Sequence, residues 1–315
     1  GGPSVLLDAE KFLWAHAILD SRSIWWNGRR HLVPLLDLVN CAEVRLDPDG
    51  SPLARGAGAG GAEGAPPREG GTPNPVHRTS LDSDGRAETP ASANFAEGER
   101  VVENYGQPDH TYYMYHGFVL GGHASNSHDC ALWEGGSGDL TIGRDDVSGL
   151  AARSGGGGSG SEREAWRHIQ TRLARNGFPS SEPSFCVNGY DDLSSLDRAS
   201  DFMRIKHGVP SDPRSGLGVD IADRVAEALR RRVGRYDALG VGPGADDEDT
   251  KATDEAERTM ERLLRNEKDH FEKALEGLER WLEAQKETEA EAAAAATTGE
   301  IEEEEGVAGD LAATA

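Results

Sequence analysis

The stretch Gly98–Phe118, GERVVENYGQPDHTYYMYHGF, decides how the chain is read. A Glu97-Gly98 turn pair opens it. Arg100-Val101-Val102 then predicts a short strand, and Asn104-Tyr105-Gly106 a sharp turn with a tyrosine at its apex. Tyr112, Tyr113, Tyr115 and His116 follow, and Gly117-Phe118 closes the segment. Taken alone, a tyrosine beside a glycine turn is most often a packing residue. A second stretch lies well upstream, Leu32-Val33-Pro34-Leu35-Leu36-Asp37-Leu38-Val39-Asn40-Cys41. It is nearly all apolar up to Val39, which predicts burial, and it ends in a polar pair. Pro34 argues against a central strand or a helix interior there.

Working outward, residues 8–20 predict a helix. Leu13 and Ala17, and Trp14 and Ile18, repeat at helical spacing, and Asp8 suits the cap. Ser23–Arg30 reads as a loop around an Asn27-Gly28 turn. Residues 49–75 are rich in Gly, Ala and Pro and read as a disordered insertion. Residues 76–93 are hydrophilic and predict a poor hairpin about Asp84-Gly85. Residues 136–160 read as a flexible linker ending in the Gly155–Gly160 run. That run lacks the lysine of a phosphate loop, so no nucleotide site is implied.

The second half predicts helices. Ser161 and Glu164 form a capping box before Trp166, Ile169 and Leu173, and Asn176-Gly177 stops that helix. A helix over 194–206 carries Leu196, Phe202 and Met203. Another over 220–239 carries Ile221, Val225, Leu229, Val233 and Tyr236 and stops at Gly240. After an acidic loop, the longest helix runs from Asp254 to Gln285 with Met260, Leu264, Phe271, Leu275, Leu278 and Leu282 on one side. The tail, 287–315, has no apolar face and reads as disordered or frayed.

Composition narrows the function classes. At 315 residues the prior is two domains. Hydrophobic residues make 36% of the chain and glycines number 40, so part of it is not core. A net charge of -23 argues against nucleic acid as a partner, because phosphate binding needs basic patches. Residues 246–315 hold 23 acidic against 8 basic residues, a net of -15, which suits a solvated helix and an acidic tail. No apolar run approaches the ~20 residues of a membrane span. Cys41, Cys130 and Cys186 are far apart and include no CxxC pair. They signal neither a zinc site nor a disulfide framework, and a reducing intracellular compartment (cytoplasm, nucleus or plastid) is the default. His110, His116, His123 and His128 crowd one segment in a spacing that fits no metal motif.

Three blocks in order resemble the SET-domain protein methyltransferases of the Rubisco large-subunit and actin-histidine methyltransferase subgroup. The first is Trp14-Ala15 through Ser21-Arg22-Ser23. The second is Leu32 to Cys41. The third is Gly98-Glu99 through Tyr105-Gly106 to Gly117-Phe118, followed by Asn126-Ser127-His128-Asp129. Together they cover about residues 8–135. The resemblance implies an α+β fold, with the C-terminal portion of a β-rich SET domain over 1–135. An all-α substrate-binding domain would follow over 161–286, a likeness of layout only. It also implies S-adenosylmethionine as cofactor and methyl transfer to a lysine of a protein substrate. A histidine target and a non-catalytic interaction module are the alternatives. The expected state is a monomer.

The resemblance also assigns roles. Tyr105 orients the nucleophile and borders the cofactor. Arg22, Asn40 and Cys41 stand at cofactor-contacting positions, although Arg22 equally reads as a cation on its helix dipole. Tyr115, His116 and Phe118 would line the target side chain, with Tyr112 and Tyr113 beside them. Core packing is the competing reading for Phe118, and a hydrogen-bonded structural role for His116. Two departures stand out: Cys41 replaces the usual histidine, and His110 a frequent asparagine. The Gly-x-Gly segment that receives the cofactor in the family has no counterpart before Trp14. The expectation is therefore a fragment holding part of the cofactor pocket.

Overall fold

The computed structural model describes residues 8–312, apart from 27, 34–35, 54–70, 136–137, 154–158, 210–216 and 243–254. The fold is α+β, with small two-stranded sheets and a helical C-terminal part. The chain forms two compact units. One comprises Gly1–Ala131 with Gly240–Lys268, the other Leu132–Leu239 with Asp269–Ala315. The Gly-rich core of the insertion, the Gly155–Gly158 run and the acidic loop fall outside the described residues.

The first unit begins with α1 (Ala9–Arg22), capped as expected by Asp8, whose carboxylate accepts from the Glu10 N–H at 3.1 Å. No residue of α1 is buried: Leu13 is 66% and Trp14 67% exposed. The segment expected as a loop folds into a hairpin, β1 (Ile24–Trp26) against β2 (Arg29–His31), with Gly28 at φ 70°. Leu32 and Leu38 of the apolar run are exposed, contrary to the expected burial. Its end forms a 3-10 turn at Leu36–Leu38 and then β3 (Asn40–Cys41).

Next come β4 (Arg45–Leu46) and β5 (Thr72–Pro73), paired antiparallel. Pairing therefore reaches into both flanks of the expected insertion, since Pro52 also bridges Leu46. The hairpin about Gly85 forms from β6 (Ser80–Leu81) and β7 (Ala87–Glu88). β8 (Val102–Glu103) then lies parallel to β3, in the register Asn40↔Val102 and Cys41↔Glu103. Asn74, only 2% exposed, ties this framework together. It accepts from Val44 N and donates to Ser92 Oγ, which donates to Val102 O. Helix α2 (Asp109–His116) packs against α1.

Strand β9 (Ala131–Trp133) leads into the second unit. Residues 138–153, expected as linker, are structured there. Leu140, Ile142, Val147 and Ala151 are buried, and α3 (Arg144–Arg153) packs on α4 (Ser159–Arg175). Those four apolar residues are too sparse to reveal a helix by periodicity, so the glycines beside them dominated the local signal. Helix α4 starts before Ser161, so that serine is not its cap. It stops as expected: Gly177 takes φ 69° and Phe178 N bonds back to Leu173 O at 2.9 Å. Strand β10 (Phe185–Val187) pairs with β9.

Helices α5 (Asp197–Lys206) and α6 (Val219–Ala238) match the predicted stripes. Phe202, Met203, Ile221, Val225, Leu229 and Tyr236 are all buried. Helix α7 runs Glu255–Ala312, through the tail expected to be disordered. Alanine and glutamate dominate that tail, and both are strong helix formers even without an apolar face. Phe271, Ala274, Leu278 and Leu282 form its buried stripe in the second unit. One close approach demands glycine: a Cβ on Gly189 would sit 2.2 Å from His270 O. Cys41 is a free thiol, while Cys130 and Cys186 are disulfide-bonded, against the reduced thiols expected.

Candidate active site

The parallel pair β3–β8 positions the site. Just beyond β8, Asn104 Oδ1 accepts from Gly106 N at 2.8 Å and closes the predicted turn. Gly106 takes φ 65°, and a Cβ there would meet Val76 Cγ1 at 2.7 Å. The turn therefore needs glycine for both conformation and space. It directs Tyr105 back across β3, where the hydroxyl donates to Val39 O at 2.7 Å.

Helix α2 supplies the other wall. Its first N–H, on Asp109, donates to Asp129 Oδ1 at 2.8 Å, a cap supplied from outside the helix. It ends at Gly117 in the left-handed region, whose N–H reaches Tyr112 O and Tyr113 O. Tyr112 and His116 lie four residues apart and so share one face. Tyr112 is fully buried and stacks on Phe118 with ring centres 5.3 Å apart. The His116 ring lies 5.8 Å from Tyr105, 6.2 Å from Tyr112 and 5.8 Å from Phe118. It also hydrogen-bonds the Ser21 backbone, tying α2 to the end of α1.

Beneath α2, the Asp109 carboxylate is fully buried and accepts five hydrogen bonds. Leu120 N (3.2 Å), Gly121 N (3.1 Å), Gly122 N (3.0 Å), Asn126 Nδ2 (3.0 Å) and Asn266 Nδ2 (3.0 Å) all point at it. Glu43 plays a similar part nearby, accepting from both Ser127 N and Ser127 Oγ. The Asn126–Asp129 block thus makes side-chain-to-backbone bonds, as expected of a loop. It also carries charge-bearing support that composition did not reveal.

The electrostatics keep the cluster uncharged. Burial pushes the Tyr105 phenol up to about 12, with Cys41 and Glu103 adding and the Arg22 cation opposing. Burial likewise raises Tyr112, whose hydroxyl accepts from Gln107 N at 3.2 Å. His116 is lowered by burial, which favours the neutral ring. The Cys41 thiol, hydrogen-bonded to the Tyr112 side chain and the Tyr105 backbone, is pushed by burial up to about 11.

The cysteine makes a direct test. A thiol at about 11 is roughly 0.1% thiolate at pH 8, against about a quarter for an ordinary cysteine. Reaction of Cys41 with a disulfide reagent at pH 8 is expected to be about 10²-fold slower in the native chain than in urea. Because the charged form is the disfavoured one, the native rate rises about tenfold per pH unit from 7 to 10. Equal rates in native and unfolded chain would contradict a half-buried, protonated thiol.

The structure brings Tyr105, Cys41, His116 and Phe118 together around Tyr112. Arg22 reaches this group through its charge on Tyr105. Asn40 does not join it. Successive strand residues face opposite ways, and with its amide oxygen turned to Arg100, Asn40 accepts from Arg100 Nε at 3.1 Å. Tyr115 is 50% exposed and lies off the shared face of Tyr112 and His116. Among the described residues no three His, Cys, Asp or Glu side chains gather as metal ligands would, and no helix is long and apolar enough to cross a membrane.

The residues missed as site builders are Asp109, Glu43 and Asn266. A Gly-Gly pair at 121–122, twelve and thirteen residues beyond an acidic helix start, was the available clue to Asp109. For Asn266, 157 residues away, local sequence holds none. Compared with known proteins, the chain matches no protein-family model and none of the curated proteins.

Proposed function

We propose that the first unit carries out S-adenosylmethionine-dependent methyl transfer to a lysine side chain of a protein substrate. The observation that supports this reading is the convergence of three separate sequence blocks on one phenol. Tyr105 OH meets Val39 O, the Tyr105 backbone meets Cys41, and the Arg22 charge acts on the same ring.

The residues present fit the cofactor in kind. A guanidinium at Arg22 suits its carboxylate, and neutral aromatic faces suit its sulfonium. Asn40 has its carboxamide oxygen on Arg100 and offers only its NH2 to a ligand. Arg22 and Cys41 are the residues that would hold the group, which supplies an electrophilic methyl. Free lysine ionises at about 10.4 and its ammonium is no nucleophile. The aromatic cluster of Tyr112, His116 and Phe118 desolvates an entering amine and so favours its neutral form. Tyr105, held protonated, keeps a lone pair to accept an N–H from that amine and aim its nitrogen.

A second reading, a non-catalytic protein-interaction module, draws on the exposed Leu13 and Trp14 of α1 and on the thiol at Cys41. The two separate in one experiment. The chain is incubated with methyl-labelled S-adenosylmethionine and a cell extract, beside Tyr105→Phe. Label in a protein band, falling about 10²-fold in the variant, is the expected outcome. A folded chain that transfers no label and shows no cofactor binding by calorimetry overturns methyl transfer in favour of the module.

A further inference from the structure

The second unit carries a patch of cations that the net charge of -23 hides. Cations from four helices gather at the end of α5. Arg153, the last residue of α3, donates through Nη2 to His207 O at 3.4 Å. Arg172 of α4 donates through Nη2 to Val209 O at 2.6 Å. Lys206 ends α5, and its Nζ donates to Asp139 O at 3.1 Å. Arg224 stands in the second turn of α6. Its charge reaches the same place: burial, then Arg224, Lys206 and Arg153, with Asp146 opposing, push the His207 imidazole down to about 4. Arg153 and Arg224 are both exposed.

Carboxylates close by are engaged with other cations. Asp146 of α3 lies 3.9 Å from Lys206. On α6, the carboxylates flanking Arg224 are Asp223, 3.9 Å from Lys286, and Glu227, 2.6 Å from Arg231. Neither Arg153 nor Arg224 pairs with a carboxylate among the described residues. The chain also carries the matching polyanion. No Lys or Arg follows Lys286, and Glu300–Glu305 is five glutamates in six residues. Helix α7 runs on through them to Ala312. Glutamates four apart on a helix, such as Glu300 and Glu304, repel one another, and a cationic partner relieves that cost. Their own patch is out of reach. Lys286 holds α7 to Asp223, beside Arg224. At about 1.5 Å per residue, the helix carries Glu300 about 21 Å further along its axis.

We propose that the Glu300–Glu305 run of one chain docks on the Arg153–Arg224 patch of a second copy. This does not rest on the methyl-transfer reading. Arginine forks suit carboxylates, because two N–H groups can meet two oxygens. Arg172 and Lys206 add to the local potential behind them. The two surfaces differ, so each contact is head-to-tail and leaves one patch and one tail free. Association therefore grows with concentration, and the chain is a monomer only when dilute. The charges are exposed, so salt weakens the contact.

Sedimentation velocity of the full chain tests this at about 0.01 M and about 1 M salt, between which the Debye length falls from about 30 Å to about 3 Å. The sedimentation coefficient is expected to rise with protein concentration in low salt and to stay constant in high salt. One variant reverses the patch, Arg153→Glu with Arg224→Glu. The other reverses the tail, with Glu302, Glu303, Glu304 and Glu305 all changed to lysine. Each alone is expected to associate at least about tenfold more weakly than the parent chain. An equimolar mixture of the two regains association, because the lysine tail of one meets the glutamate patch of the other. Misfolded variants would not regain it. A chain that stays monomeric at every concentration in low salt, association undiminished in either variant, or a mixture that associates no better than its parts overturns the proposal.

Discussion

Replacing Asp109 by alanine is expected to cost the first unit more than about 4 kcal/mol, a loss of the size reserved for broken buried networks. The carboxylate is fully buried and accepts from three backbone N–H groups and two side-chain amides. Alanine leaves all five donors without their acceptor. Each buried donor left unmade costs about 1–3 kcal/mol, and the terms do not add in full because neighbours relax. Gly121 and Gly122 hold φ values of 108° and 75° to aim their N–H groups inward, so the loop has no cheap alternative once the anion is gone. Asp109→Asn keeps one acceptor but turns an NH2 toward donors, and it is expected to recover less than half of the loss. Urea unfolding followed by far-UV circular dichroism reads both variants. Asp8→Ala is the internal control, since its cap hydrogen bond to Glu10 N is exposed and worth about 1 kcal/mol or less. If Asp109→Ala proved no worse than Asp8→Ala, the carboxylate would not be the keystone that its hydrogen bonds imply.

Phe271→Ala is expected to destabilise the second unit by about 3–5 kcal/mol, the range for emptying a buried aromatic site. Phe271 is fully buried. Its ring meets Trp133 edge-on at 6.2 Å and Tyr236 at 6.0 Å, with the Arg232 guanidinium 5.5 Å from its centre. These partners come from β9 and α6, so the side chain joins elements rather than decorating one. Rigid rings on each side limit collapse into the space, which places the cost toward the upper end. Phe271→Leu fills most of that volume and is expected to lose less than half as much. Chemical denaturation of both variants gives the comparison. A loss under about 1 kcal/mol for the alanine variant would mean that the stripe on α7 is not core.

The helical half was legible in the sequence to a large degree. The apolar stripes of α6 and α7, and the Asn176-Gly177 stop of α4, are local signals. Each arises from residues within one or two turns of one another, and the same short-range energetics form the element in the folded chain. The hairpin at Gly85 and the tyrosine turn at Gly106 belong to the same class. Where the structure departs from the local signals, those signals are absent or point the other way. Glycines surround the buried Leu140 and Val147 and masked α3. The alanine-rich tail lacks an apolar face, which predicts disorder or fraying, yet its intrinsic propensity carries α7 to Ala312.

Hydropathy alone also misplaced Leu32 and Leu38, because burial belongs to what packs against a residue and not to the residue. The same limit governed the candidate site. That Tyr105 ends a sharp turn could be read from Asn104 and Gly106. That it reaches the carbonyl of Val39 could not, since that contact depends on the parallel register of β3 and β8. Five aromatic or imidazole rings between positions 112 and 118 are plain in the sequence. Which of them face inward follows from the seating of α2, which buries Tyr112 and exposes Tyr115. Turns, the Asp8 cap and the stripes were thus settled by neighbours along the chain. The neutral cluster and the Asp109 network were settled by tertiary contacts alone, because desolvation and long-range hydrogen bonds take their strength from groups that the chain brings near only when it folds.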